Sequence, residues 1–142
     1  MKNKVVVATM KGQIDCWDFS GKNMWSYLAK APIASSPVLS ADGQLIFGEK
    51  NGYLESIDAK MGKLLWFWET NSSFHRVNLD SSPAITSRGL VVIGSYDGNL
   101  YAVSPLYIEE QKKIKKNIAK QFVVVTNNMV REIIFDAKNA GN

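Results

Sequence analysis

The chain has 142 residues, of which 46% are hydrophobic and 21% are charged, and its formal net charge at pH 7 is +4. This composition is typical of a globular chain with a hydrophobic core, and it excludes a largely disordered protein. The single cysteine, Cys16, excludes an internal disulfide, and no second cysteine or histidine lies at the spacing of a zinc site. We therefore expect no metal centre.

The positive charge is local. Five lysines between positions 112 and 120, set against Glu109 and Glu110, supply +3 of the net charge, so the rest of the chain is nearly neutral. No apolar run approaches the roughly 18 residues that cross a bilayer, and residues 1–10 lack the apolar core of a signal peptide. We expect no nucleic acid partner, no membrane insertion and a cytoplasmic location as written. A periplasmic or extracellular location is expected if the chain is a trimmed or truncated family member.

An internal repeat of about forty residues organises the first part of the chain, and such a period decides the fold. Residues 5–25 align with residues 45–66, and a third copy covers residues 91–103. Three positions anchor the first two copies at spacings of 40, 41 and 41: Gly12 with Gly52, Gly21 with Gly62, and Trp25 with Trp66. The sequence Ser-Ser-Pro at residues 35–37 recurs at residues 81–83, a spacing of 46.

Each copy is predicted to form four short strands, because short apolar runs are separated by turn residues about every ten positions. In the complete copy we place these strands at residues 36–39, 45–48, 53–57 and 64–68. Asp42-Gly43 and Asn51-Gly52 occupy the first two of the intervening turns, where hairpins need a positive φ, and Asp97-Gly98 repeats this pattern in the third copy. Four-stranded units at this period are typical of β-propeller blades.

The pattern breaks after the third copy. Residues 107–114 are predicted to form a short helix, with acids in its first turn and lysines in its last. A helix across the propeller edge with solvated lysines is favoured over a membrane or calmodulin-target helix, and an anionic partner stays open. A degenerate copy beginning at Phe122 predicts a C-terminal β-hairpin.

The prediction is an all-β partial propeller of about three four-stranded antiparallel blades in residues 1–105. A basic helix and the β-hairpin follow in residues 106–142. Closed propellers usually have four to eight blades. The first copy lacks an opening strand and the third a closing strand, so both ends are predicted to be unfinished. A tail strand at residues 122–126 pairing with the first copy would close the ring but crowd its axis. Association through open blade edges, as a dimer or higher oligomer, is favoured.

Residues 52–66, Gly-x-Leu-x-x-Ile-Asp-Ala-x-x-Gly-Lys-x-x-Trp, resemble the signature of the PQQ-like β-propeller repeat family. The resemblance covers about residues 4–105. In that family the closing tryptophan docks between blades and the glycine makes the turn before the last strand. The resemblance therefore implies these structural roles for Trp25 and Trp66, and for Gly21 and Gly62. The family includes quinone-dependent dehydrogenases, an outer-membrane assembly lipoprotein and propellers that bind no quinone.

Candidate catalytic residues are few. Asp58 is a carboxylate in an apolar context, but an aspartate before a turn ordinarily caps its own backbone. The only histidine, His75, lies in an inserted loop and is interpreted as solvated. No nucleophile with a base, carboxylate pair, phosphate-binding loop or dinucleotide fingerprint is found. We predict no catalytic residue and no cofactor, hence a non-enzymatic scaffold that binds a protein or ligand. The alternative is a fragment or remnant of a quinoprotein dehydrogenase, which the resemblance implies would need far more blades.

A candidate binding surface follows from the loops. In a four-stranded blade, the crossover to the next blade and the turn between strands two and three lie on the same face. Loops on a rigid scaffold are where binding residues concentrate. The predicted binding residues are Lys50, Asn51, Phe74, His75, Arg76, Tyr96 and Asp97.

Overall fold

The computed structural model describes residues 4–70, 77–106, 108, 123–126 and 129–132, the last two ranges by their backbone alone. These residues form twelve strands arranged as three antiparallel sheets. The strands are β1 (Lys4–Ala8), β2 (Gln13–Asp18), β3 (Asn23–Leu28), β4 (Val38–Leu39), β5 (Gln44–Gly48), β6 (Tyr53–Asp58), β7 (Leu64–Glu69), β8 (Ala84–Ile85), β9 (Val91–Gly94), β10 (Leu100–Val103), β11 (Val123–Thr126) and β12 (Met129–Glu132).

The second sheet is a complete blade in which four strands pair in chain order, β4-β5-β6-β7. The prediction of a four-stranded antiparallel blade is confirmed. Its first strand begins at Val38 rather than at residue 36. Pro37 has no N–H to donate to a ladder, and the N–H of Ser36 donates instead to the hydroxyl of Ser82, at 3.1 Å.

The first sheet has three strands in the described part of the chain, in the order β1-β2-β3. β1 aligns with β5, so the position that β4 holds in the second sheet has no counterpart here. Both sheets carry an irregularity at the same place, between Cys16 and Trp17 in β2 and between Ser56 and Ile57 in β6. In the described residues, the first and second sheets are therefore two copies of one unit, and the first sheet lacks the strand that corresponds to β4.

The third sheet has five strands, in the order β12-β11-β10-β9-β8. β11 pairs with β10, with Leu100 opposite Val125, and so takes the place that β7 has in the second sheet. The prediction that the third unit lacks a closing strand is therefore wrong. The alternative in which residues 122–126 pair with the first unit is wrong as well. The predicted C-terminal β-hairpin is confirmed, because β11 and β12 pair antiparallel.

The predicted helix begins at Pro105, where Pro105, Leu106 and Ile108 are helical. The N–H of Ile108 donates to the carbonyl of Ser104 at 3.2 Å. Ile108 also packs against the core between the second and third sheets. The lysine-rich remainder of the predicted helix lies outside the described residues.

Two hydrophobic cores lie between the sheets. Leu45 and Phe47 of β5 face the first sheet, whereas Ile46 faces the third. Because successive side chains of a strand point to opposite faces, the middle sheet is buried on both sides. This explains why β5 is apolar without alternation. The first core contains Ile14, Cys16, Trp25, Ala29, Ile33, Leu45, Phe47, Ile57 and Ala59. The second contains Ile46, Leu54, Trp66, Leu79, Val91, Ile93, Tyr101 and Val103.

Candidate functional site

The crossovers between sheets lie against the hairpin turns at one end of the molecule, which we call the crossover rim. The N–H of Lys50 donates to the carbonyl of Pro32 at 3.0 Å, and the N–H of Leu79 donates to the carbonyl of Glu49 at 3.1 Å. The N–H of Tyr96 donates to the carbonyl of Asn78 at 2.9 Å. Lys50, Asn51, Tyr96 and Asp97 lie on this rim. Phe74, His75 and Arg76 lie outside the described residues.

Tyr96 lies on the crossover rim with 78% of its surface exposed. The turn beneath it is firmly held, since Asp97 accepts hydrogen bonds from the Tyr101 hydroxyl at 2.6 Å and the Asn99 N–H at 3.1 Å. Burial opposes ionisation, but hydrogen bonds from Tyr101 and Ser95 hold the pKa of Asp97 below its usual range. The rim therefore offers an exposed aromatic ring beside an oriented carboxylate.

Asn51 and Asp58 satisfy turns of their own backbone. The Asn51 side-chain oxygen accepts from the N–H of Tyr53 at 3.2 Å. Asp58 Oδ1 accepts from the N–H groups of Lys60 and Met61, at 2.7 and 2.8 Å. Asp58 thus holds the turn between β6 and β7, at the end of the molecule opposite the crossover rim.

The two repeat tryptophans are buried between sheets. The indole Nε1 of Trp25 donates to the carbonyl of Ala59 in the second sheet, at 3.2 Å. The ring also covers Gly62, so that a Cβ built on Gly62 would lie 2.6 Å from Trp25 Cε3. Trp66 is fully buried and donates from Nε1 to Gln44 Oε1 at 2.7 Å. Gly21 is the counterpart of Gly62, and among the described atoms nothing lies within 4 Å of its Cβ position.

A buried carboxylate pair, which the sequence analysis did not find, lies between the first two sheets. Glu49 and Glu55 are both 0% exposed. Glu55 Oε2 accepts from the Tyr27 hydroxyl and Glu49 Oε2 from the Ala31 N–H, each at 2.7 Å. The other oxygen of each carboxylate is buried without a donor among the described residues.

Burial and the adjacent charge of Glu55 raise the pKa of Glu49 to about 7. A proton shared between the two carboxylates would supply the missing donor. Lys30 adds a partly exposed positive charge, with Nζ 3.7 Å from Glu55 Oε1 and 4.2 Å from the centres of the Tyr53 and Phe67 rings. Because neither carboxylate reaches solvent, the pair has no access to a substrate in this conformation.

The signal for this pair was present in the hairpin. Gly48 lies opposite Leu54 and Phe47 opposite Glu55, so residue 49 follows the end of β5 close to Glu55. Charged residues beside a tight turn are ordinarily solvated. Their burial depends on the crossover through Ala31, which the sequence pattern did not place.

A cleft of about 380 Å³ lies at the opposite end, between the second and third sheets. Asp42, Arg88 and Leu106 contribute to its walls. The Asp42 carboxylate is already engaged by the hydroxyl of Ser40 and by Gln44 Nε2, the latter at 2.7 Å. Among the described residues that line the cleft, the one carboxylate is therefore already hydrogen-bonded within the protein.

Neither metal ligands nor a membrane span is found in the described residues. They contain no group of three or more histidine, cysteine, aspartate or glutamate side chains arranged to hold a metal ion. No helix among them is long and apolar enough to cross a membrane.

Comparison with known proteins identifies the family. Residues 1–116 match the family model described as outer membrane protein assembly factor BamB. The chain belongs to this family of PQQ-like propeller repeats. The crystal structure of BamB from Moraxella catarrhalis superposes with a TM-score of 0.63 at 20% identity, over 75% of this chain and 35% of that chain. At this identity the likeness establishes the fold, and the predicted propeller architecture is confirmed.

A second relative is an enzyme. A lanthanide-dependent methanol dehydrogenase from Methylacidiphilum fumariolicum (strain SolV) is 36% identical over 56 residues, which is 39% of this chain and 9% of that protein. The chain thus spans about a third of the length of its structural relative and about a tenth of the enzyme. The resemblance to PQQ-like repeats stated from the sequence is confirmed.

Proposed function

We propose that this propeller-repeat chain is a non-enzymatic scaffold that binds a protein partner through the crossover rim. The observation that carries the proposal is Tyr96, which is largely exposed on a turn held by hydrogen bonds from Tyr101 and to Asn78. Exposed aromatic residues are enriched at protein interfaces, and a rigid turn loses little entropy when it binds. Lys50, Asn51 and Asp97 complete the described part of the surface, and Phe74, His75 and Arg76 are proposed to extend it.

The family description supports a protein partner, because the matched model is that of an assembly factor. It also supports the periplasmic alternative over the cytoplasmic location, since that factor is described as one of the outer membrane. The buried Glu49–Glu55 pair supports a role without catalysis. A general acid or base must come within hydrogen-bond reach of its substrate, and these carboxylates are fully buried.

The proposal is tested by site-specific photocrosslinking in the native host. A photoreactive phenylalanine analogue replaces Tyr96 in the full chain, and the same analogue at Met61 provides the control. Met61 is also exposed but lies at the opposite end of the molecule. We expect a discrete crosslinked protein from position 96 and none from position 61. No product at position 96, or the same product from both positions, would contradict the proposal.

The match to methanol dehydrogenase favours a second candidate, a fragment or remnant subunit of a quinoprotein dehydrogenase. The two candidates differ in quinone binding. Titration of the purified chain with pyrroloquinoline quinone, followed by the absorption of the quinone, separates them. We expect no saturable spectral change, and a stoichiometric change would favour the dehydrogenase fragment.

A further inference from the structure

Two turns that hold the same position in neighbouring blades form the walls of the cleft between the second and third sheets. One joins β4 to β5, and the other joins β8 to β9. In the first turn, the Ser40 hydroxyl accepts from the N–H of Gln44 at 2.8 Å. In the second, the Thr86 hydroxyl accepts from the N–H of Leu90 at 3.0 Å. The backbone N–H of Ser40 donates to Gln44, and that of Thr86 to Leu90, so the two turns are built alike.

The third residue of each turn differs in charge and in its partners. Asp42 accepts hydrogen bonds from the Ser40 hydroxyl and from Gln44 Nε2, so its carboxylate is held against its own turn. The hydrogen bond from Ser40 is the main cause that holds the pKa of Asp42 below its usual range. Arg88 occupies the corresponding position of the second turn. It is exposed and forms no hydrogen bond or ion pair in the part of the chain that the structure describes.

The rest of the cleft is mainly apolar. Ile46 and Val91, which are 1% and 0% exposed, belong to the core between the second and third sheets. Ile85 packs against that core, and Leu106 is largely exposed at the edge of the cleft. The volume of about 380 Å³ lies within the range of small-molecule pockets. Because its walls belong to two adjacent sheets that share a core, the cleft is a feature of the contact between two blades.

We propose that this cleft binds a small carboxylate with an apolar body, whose anionic group pairs with Arg88 and whose apolar part lies on Ile85 and Leu106. The planar guanidinium presents two parallel N–H groups that match the two oxygens of a carboxylate. Removal of the apolar body from water adds to the affinity. The site goes beyond the proposed function, because it lies at the end opposite the crossover rim and requires no protein partner.

The charges of the cleft favour a ligand with one negative charge. Asp42 and Arg88 are the charged residues among those that line it, so the two charges offset each other. The Asp42 carboxylate is ionised at neutral pH and repels a second negative charge on the ligand. A monocarboxylate is therefore favoured over a phosphate ester.

The first test titrates the full chain, labelled with ¹⁵N, with phenylacetate, phenylacetamide and acetate. Phenylacetate at millimolar concentration should give saturable shifts in the amides of residues 86–89. The other two probes each lack one half of the interaction. Phenylacetamide has no charge for Arg88, and acetate has no apolar body, so each should bind roughly tenfold more weakly. No saturable shift with phenylacetate, or equal binding of phenylacetamide, would overturn the proposal.

A set of variants at exposed residues locates the binding. Arg88→Gln removes the charge and should weaken phenylacetate binding roughly tenfold or more, whereas Arg88→Lys keeps the charge without the planar fork and should have an intermediate effect. Lys60→Gln is the control, because Lys60 is an exposed cation on the turn between β6 and β7, at the same end of the molecule but outside the cleft. Thermal unfolding verifies that each variant is folded. Unchanged affinity in Arg88→Gln, or an equal loss in Lys60→Gln, would contradict the assignment.

Two further probes identify the occupant. Phenyl phosphate should bind more weakly than phenylacetate, and tighter binding would refute the preference for a single charge. A short peptide that ends in phenylalanine with a free carboxylate should bind no better than phenylacetate. A gain of roughly tenfold that disappears in Arg88→Gln would reassign the cleft to the C-terminus of a polypeptide and overturn the small-molecule assignment. The crosslink at position 96 tests the crossover rim alone, so the two proposals can fail separately.

Discussion

The hydroxyl of Tyr27 in the first sheet donates a 2.7 Å hydrogen bond to Glu55 in the second. The same interface buries Trp25 and Phe47. A buried carboxylate without such a donor costs free energy, so the contact favours one arrangement of the two sheets. Burial and the acceptor Glu55 raise the pKa of Tyr27, which keeps the hydroxyl protonated as the donor.

Protonation of Glu49 makes stability depend on pH. Its pKa is raised from 4.5 to about 7, so between these values the folded state binds more protons than the unfolded state. The contribution is full below about pH 4.5 and is lost as the pH rises through 7. A shift of this size corresponds to at most about 3 kcal/mol. Urea unfolding at pH 5 and pH 8 should show greater stability at pH 5.

The control for this titration is Glu49→Gln, which cannot ionise and can still hydrogen-bond to Glu55. The difference in unfolding free energy between the two pH values should shrink in this variant. No measurement is made below pH 5, because hydrogen bonds lower the pKa of Asp15 and Asp42, and these groups change stability in the opposite sense at acid pH. An identical pH dependence in both proteins would refute the shared proton.

Truncation of Trp66 tests the core between the second and third sheets. Trp66 is fully buried, and replacing such a side chain with alanine leaves a cavity. We expect Trp66→Ala to lower the unfolding free energy by about 3 to 5 kcal/mol in denaturant melts. Trp17→Ala is the control, because Trp17 is 39% exposed, and it should cost about 1 kcal/mol or less. A loss under about 1 kcal/mol at Trp66 would contradict its interfacial role.

Alanine substitutions of Gly21 and Gly62 separate the cost of backbone strain from the cost of overpacking. Alanine at either position adopts a positive φ, which costs about 1 to 2 kcal/mol. Gly62→Ala also forces a methyl group against Trp25, and overpacking adds about 1 to 3 kcal/mol. Thermal and urea unfolding of the isolated chain should therefore show a larger loss for Gly62→Ala than for Gly21→Ala. Equal losses would mean that Trp25 does not lie firmly on this turn.

Asp58 is predicted to stabilise its turn and to take no part in catalysis. Asp58→Ala removes the acceptor for the N–H groups of Lys60 and Met61 and should cost about 1 kcal/mol, as loss of a capping side chain does. Asp58→Asn keeps a side-chain acceptor and should cost less. A dehydrogenase or hydrolase activity that is lost in a folded Asp58→Asn protein would overturn this assignment. His75 is likewise predicted to take no part in catalysis.

The repeat predicted the blades well because its signals are local. Asp42-Gly43 and Asn51-Gly52 fix hairpins from neighbouring residues alone, and the strands they join follow. The pairing of β11 with β10 has no such signal, since a long segment separates the two strands. The first strand of the complete blade was predicted two residues early because Pro37 interrupts the ladder.

The candidate site residues could likewise be predicted from the sequence only in part. The position of Tyr96 and Asp97 on a turn could be inferred from Asp97-Gly98, whereas the exposure of the Tyr96 ring is a tertiary property. The sequence analysis did not identify Glu49 and Glu55, because the pattern does not show which segment crosses above a hairpin. Trp25 covers Gly62, whereas no described atom lies within 4 Å of the Cβ position of Gly21, and this difference emerged only from comparing the two copies.

The five-stranded third sheet has a consequence for biosynthesis. β8, β9 and β10 leave the ribosome before β11 and can pair in chain order. The outer edge of β10 stays unpaired until β11 has been synthesised. An unpaired strand edge is a template for wrong partners, and long-range pairing is slow. Between synthesis of residue 103 and residue 123, the unpaired edge of β10 is therefore open to misassembly.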